Sequence, residues 1–76
     1  MFSKKIFSER VKSLRETHKL TQKELAEIIN MSDKSISLIE NSWRAASIEV
    51  MFSLADYFNV SLDYLTGRTD KPEINK

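Results

Sequence analysis

Seventy-six residues hold one domain with a small core, because a chain this short buries only about 60% of the surface its unfolded state exposes. A hydrophobic content of 41% and a charged content of 30% suit a folded globular domain rather than disorder, and the lack of cysteine excludes disulfides, thiol catalysis and cysteine-containing zinc sites. Net charge is only +1, but residues 1–44 carry nine Lys/Arg against six Asp/Glu and residues 45–76 three against five, an asymmetry that suits nucleic-acid binding by one face.

No apolar run approaches the roughly 18 residues of a membrane span. The first ten residues, MFSKKIFSER, are basic but lack the apolar segment of a signal peptide. A cytoplasmic location is therefore expected.

Ser3 is placed to cap a first helix, with Phe2 and Phe7 as staple partners. Phe7, Val11 and Leu14 recur at i, i+4 and i+7 and form its buried stripe; Ser8, Glu9, Lys12, Ser13 and Glu16 fall elsewhere. The helix should fade near Thr17 and His18. Lys19 then stands where a glycine would be expected, so mild backbone strain is predicted there. Thr21 and Glu24 have the spacing of a capping box, and Leu20 and Leu25 that of a hydrophobic staple. The second helix places Leu25, Ile28 and Ile29 on one face. Asn30, which tolerates left-handed φ, ends it.

Ser32 caps a third helix, with Met31 and Ile36 as its staple. Ile36 and Ile39 face inward, leaving Lys34, Ser35, Ser37, Leu38 and Asn41 facing out. Two short capped helices joined by a tight turn, the second with a small polar outer face, have the shape of a helix-turn-helix. In that motif the second helix enters the DNA major groove.

Residues 41–46 read as a loop. Ser47 caps a fourth helix whose apolar face takes Ile48, Met51, Leu54, Ala55 and Phe58, with Glu49 favourable to the dipole. Asn59 ends it. Ser61 caps a short fifth helix, with Val60 and Leu65 as staple, and Gly67 terminates it. Residues 68–76 are polar, hold the only proline and read as a C-terminal tail after a domain spanning residues 1–67. No segment alternates as a strand would, and there is no internal repeat. The expected fold class is all-α, with five helices.

Catalysis finds little support. His18 is the only histidine, so no metal site is expected. The serines lack a plausible base, and one glycine precludes a glycine-rich phosphate cradle. No cofactor and no small-molecule ligand are expected, and an enzyme is not.

From Phe7 to Gly67 the chain resembles the Cro/CI-type helix-turn-helix domain, the xenobiotic-response-element family of bacterial and phage regulators. The resemblance lies in ERVKSLRE, LTQKELAEI, MSDKSISLIEN and LADYFNVSLDYLTG, in the family's order and spacing. It implies a five-helix lambda-repressor-like domain that binds operator DNA, usually as a homodimer. It implies that Gln22 contacts a phosphate and that Asp33, Lys34, Ser35 and Leu38 face the bases; Ser37, outward on the same helix, is a further DNA-binding candidate. It implies that Asn41 and Arg44 hold further phosphates. It also implies that Arg15 and Glu40 form a partly buried ion pair between the first and third helices.

The chain departs from the family at Lys19, Asn30 and Ser42, where glycine is frequent, and at Ala46, where proline is. Asp33 caps the third helix but repels phosphate; it could accept from a cytosine amino group. Leu38 could pack on a thymine methyl.

Two functions are weighed. One is a sequence-specific DNA-binding regulator, a repressor or Cro-like protein on a palindromic operator. The other is an antitoxin-like or adaptor module that keeps the fold and has weakened or lost DNA binding. Asp33 and the near-zero net charge favour the second; Gln22, Lys34, Asn41 and Arg44 favour the first and outweigh them. A single recognition helix reads too few base pairs to find one genomic site, so dimerisation is expected. Trp43, Ile48, Phe52 and Tyr64 are the candidate dimer contacts, Phe52 foremost because it falls off the buried stripe of its helix.

Overall fold

The structure, a computed structural model, describes residues 3–41 and 46–73. Five helices follow one another: α1 (Lys4–Thr17), α2 (Gln22–Ile28), α3 (Asp33–Glu40), α4 (Ile48–Phe58) and α5 (Leu62–Thr66). There is no strand among the described residues.

Every helix starts the same way. Ser3, Thr21, Ser32, Ser47 and Ser61 each hold an extended backbone and accept a hydrogen bond from the amide three residues on. That side chain satisfies one of the donors a helix start leaves orphaned. At α2 the capping box is complete: the Thr21 amide donates to Glu24 Oε1 at 2.9 Å and the Glu24 amide to Thr21 Oγ1 at 3.0 Å.

Four helices also end alike. Lys19, Asn30, Asn59 and Gly67 have φ of 56°, 60°, 55° and 85°. Beyond each, an amide reaches back five residues: Leu20 to Arg15, Met31 to Ala26, Val60 to Ala55 and Arg68 to Asp63. These are Schellman closures, which satisfy late carbonyls and turn the chain sharply. Only the last uses glycine. A Cβ at Gly67 would lie 3.0 Å from Ile6 Cγ2, so both conformation and space require glycine there.

Phe7, Val11, Leu25, Ile36, Ile39, Leu54 and Leu65 are fully buried, drawing all five helices into one core. Helix α2 packs on α3, α1 on both α3 and α5, and α4 on α5. The staple partners Leu20 and Met31 pack against this core; Phe2, expected to staple α1, lies outside the described residues.

Three expectations from periodicity are corrected. Ser8 is buried where α1 packs on α3, and its hydroxyl sits between two acceptors, the Lys4 carbonyl at 2.7 Å and the Ile39 carbonyl of α3 at 2.6 Å. Ile28 is 44% exposed, since α2 turns Leu25, Ala26 and Ile29 inward instead. Ile48 is 58% exposed, and Val50 packs against the core in the first turn of α4.

Residues 68–72 are tied back to the helices. The Ser61 amide donates to the Pro72 carbonyl at 2.8 Å. Arg10 donates to the carbonyls of Tyr64 and Thr69 and, at 2.8 Å, to Asp70 Oδ1.

Candidate nucleic-acid interface

The pair α2–α3 carries the candidate site. Its turn is short because Asn30 adopts the left-handed conformation and Ser32 immediately caps the next helix. Tight turn chemistry on both sides fixes how α3 projects from the body.

Behind α3 lies a network of charged groups. Arg15 Nε donates to Glu40 Oε2 at 2.7 Å, and Arg15 Nη2 to Glu40 Oε1 at 3.1 Å. The fork fits the carboxylate at two points, the stronger form of ion pair. Arg15 Nη1 also donates to the Leu20 carbonyl at 2.8 Å. The side chains are 13% and 2% exposed. Arg15 is held above its ordinary pKa, first by its hydrogen bond to Glu40, with attraction to Glu40 and Glu16 adding and burial opposing.

Gln22 joins this network. Its Nε2 donates to Glu40 Oε1 at 3.2 Å. The first residue of α2 is thereby held by the last residue of α3, and both by α1. Gln22 keeps its amide oxygen and a second N–H proton for an outside partner.

On α3, at 100° per residue, Lys34, Ser37, Leu38 and Asn41 form a stripe opposite Ile36, Ile39 and Glu40. The Asn41 amide donates to Ser37 Oγ at 3.3 Å. Lys34 is exposed and its ammonium has no partner among the described residues. Leu38 is half-buried, as are Ser35 and Ser37.

Asp33 and Ser35 stand at the flank of this stripe. The Lys34 amide donates to Asp33 Oδ1 at 2.9 Å, and the Ser35 hydroxyl lies 2.9 Å from Ser32 Oγ. Both side chains therefore serve the start of α3. Asp33 retains its second carboxylate oxygen as a free acceptor. With the Ser35 amide on Ser32 Oγ at 3.2 Å, the amides of Lys34 and Ser35 are already occupied by protein oxygens.

Trp43 and Arg44 lie outside the described residues. Ile48 and Phe52 are 58% and 51% exposed on α4. Tyr64 is half-buried, and the Arg10 guanidinium sits 4.1 Å over its ring. Phe52 borders a groove between α4 and α5 with Ala55, Val60 and Leu62 in it and Asp56 and Asp63 beside them. The work of Arg10 was not legible in the sequence: its stacking and three acceptors lie 54 to 60 residues away.

Comparison with known proteins places this geometry. A helix-turn-helix family profile matches residues 11–65. The chain is 34% identical over 68 residues to the uncharacterized HTH-type transcriptional regulator YobD of Bacillus subtilis (strain 168), covering 90% of this chain and 61% of that protein. It is 42% identical over 57 residues to antitoxin PezA of Streptococcus pneumoniae serotype 4, covering 75% and 36%. The chain thus spans less than two thirds of these relatives. Among solved structures it is similar to the P22 c2 repressor in complex with a synthetic operator: TM-score 0.74, 29% identity, 78% of this chain and 89% of that one.

Proposed function

The chain belongs to the helix-turn-helix family, and on that footing we propose that it is a sequence-specific DNA-binding transcriptional regulator, a repressor or Cro-like protein. It places α3 in the major groove of operator DNA. The observation that carries this reading is the arrangement around Glu40: one buried carboxylate holds Gln22 at the start of α2 while the Lys34–Ser37–Leu38–Asn41 stripe lies on the side of α3 away from the core. A preorganised polar group beside an unpartnered lysine suits a backbone contact next to base edges. The likeness to an operator-bound repressor supports the same docking.

Gln22, Asn41 and Arg44 contact phosphates, Lys34 reaches a phosphate from its place among the outward residues, and Asp33, Ser35, Ser37 and Leu38 face the bases. The regulator acts as a homodimer on a palindromic site, with half-sites about one helical turn, roughly 34 Å, apart. It works in the cytoplasm; no helix among the described residues is long and apolar enough to cross a membrane. The reading asks for no catalytic step and no cofactor.

The second reading, a protein-interaction module that has given up DNA, is favoured by the likeness to antitoxin PezA and by Asp33 at the tip of α3. A mobility shift with mixed genomic fragments at low salt separates the two. Retention of a subset of fragments against excess random DNA supports the regulator; no shift at micromolar protein supports the interaction module.

A further inference from the structure

Helix α1 carries two arginines on well-separated faces. Arg10 and Arg15 are five residues apart, which sets them about 140° apart around the axis at 3.6 residues per turn. Arg15 meets Glu40 of α3. Arg10 meets α5 and the residues after it. Its guanidinium lies 4.1 Å over the Tyr64 ring and donates to the Tyr64 carbonyl, to the Thr69 carbonyl at 2.6 Å and to Asp70 Oδ1 at 2.8 Å. The Arg10 side chain is 18% exposed, while the Asp70 carboxylate is fully exposed. The two backbone carbonyls, more than the solvated ion pair, are therefore what Arg10 holds.

Helix α5 depends on such support. Five residues are too few to sustain a helix alone, because the first turn fixes more backbone than its hydrogen bonds repay. Leu62, Tyr64 and Leu65 pack against the core, but apolar packing is non-directional. Arg10 adds directional bonds, one of them to a late carbonyl of the helix. Residues 68–72 then run back alongside α5. They start with the Arg68 amide on the Asp63 carbonyl at 2.9 Å and finish with the Pro72 carbonyl on the Ser61 amide at 2.8 Å. Ser61, Leu62 and Asp63 are in turn the α5 wall of the groove that Phe52 borders.

We propose that Arg10 is a positioning residue for self-association. Through the carbonyls of Tyr64 and Thr69 it holds α5 and residues 68–72 in the arrangement that a second copy of this chain meets. This rests on the homodimer reading above and deepens it. The two arginines of α1 then divide the work: Arg15 sets the reading helices and Arg10 sets the assembly surface.

The test uses the intact chain with Arg10→Ala and Arg10→Lys, at temperatures where circular dichroism shows the variants folded. In Arg10→Ala, amide hydrogen exchange at residues 61–71 should quicken at least about tenfold, the effect of losing one hydrogen bond to a charged group, with α2 and α3 close to wild-type rates. Self-association in sedimentation should weaken with it. Arg10→Lys should fall between, because a lysine has one point donor and no planar face to stack. Amide shifts of residues 33–41 at saturating operator should match wild type, which general destabilisation would not leave intact. Should Arg10→Ala fail to fold, Arg10→Lys carries the same readings. Arg10 loses this role if residues 61–71 loosen while self-association keeps its wild-type strength, or if Arg10→Lys equals wild type in both. Either result leaves a dimeric wild type standing. A wild-type protein that stays monomeric at high concentration overturns the homodimer reading, and this assignment with it.

Discussion

Glu40, at the C-terminal end of α3, takes the two-point fork of Arg15 from α1 with its carboxylate 2% exposed. The same carboxylate accepts from Gln22 at the start of α2. One buried group thus fixes the relative placement of three helices. Removing either partner leaves the other charge buried and uncompensated, and should cost on the order of 3 kcal/mol in chemical denaturation. Arg15→Ala and Glu40→Ala should each show it, and the double variant should cost less than their sum. Additive losses would mean the two side chains act independently.

The pair also makes a statement about pH. Arg15 is raised above its unfolded value, so its contribution is fully present below that value and is lost only as pH rises through the folded one. Both lie in the strongly basic range of arginine, far above neutral pH. Stability measured from pH 6 to 9 should therefore show no titration from Arg15. An Arg15→Lys variant keeps the charge but loses the planar fork, and should recover less than half of the Arg15→Ala loss.

The helix starts were legible because capping chemistry is local. Ser3, Thr21, Ser32, Ser47 and Ser61 announce themselves by residue type and by their neighbours in the next helical turn. The left-handed residues Asn30 and Asn59 were legible for the same reason, and Lys19 stood out as the wrong residue for its place. Features that depend on a neighbouring helix were not. Ser8 looks like a surface residue on α1 until α3 brings the Ile39 carbonyl to it. Ile28 and Ile48 fit an apolar face by spacing, yet no neighbouring helix covers them. The Arg15–Glu40 pair came from family resemblance, since two residues 25 apart carry no local signal of each other.

Lys19 holds φ at 56° on an exposed loop. A left-handed conformation costs a non-glycine residue roughly 1–2 kcal/mol, part of which glycine gives back through its looser unfolded chain. Lys19→Gly should therefore stabilise the domain by about 0.5–1 kcal/mol and raise Tm by about 4 °C. Gly67→Ala should do the reverse, by more than about 1 kcal/mol, since its Cβ meets Ile6. An unchanged melting curve for both would remove backbone strain as the cause.

Lys34 and Arg44 should contribute to the salt dependence of DNA binding. Alanine at either position should flatten the slope of log K against log salt by roughly one unit. Gln22→Ala and Asn41→Ala should weaken binding without changing that slope, because neither displaces a counterion. A slope unmoved by both charge deletions would place the DNA on another face.

Phe52 tests the assembly. It is 51% exposed at the edge of the α4–α5 groove. A two-fold contact uses the same patch on both subunits, so Phe52→Ala alters it twice. Self-association in sedimentation should weaken, and operator binding at low protein concentration should fall with it by mass action. Wild-type protein that sediments as a monomer at high concentration and occupies each half-site independently would remove Phe52 from this role.

The central claim is that α3 and the start of α2 form the DNA-facing surface. Amide chemical-shift mapping during titration with a selected duplex tests it most directly. The largest perturbations should fall on Gln22 and on residues 33–41, with α5 and the Phe52 side of α4 changing only as dimerisation requires. Perturbations confined to the α4–α5 face, with residues 33–41 unmoved at saturation, would contradict it.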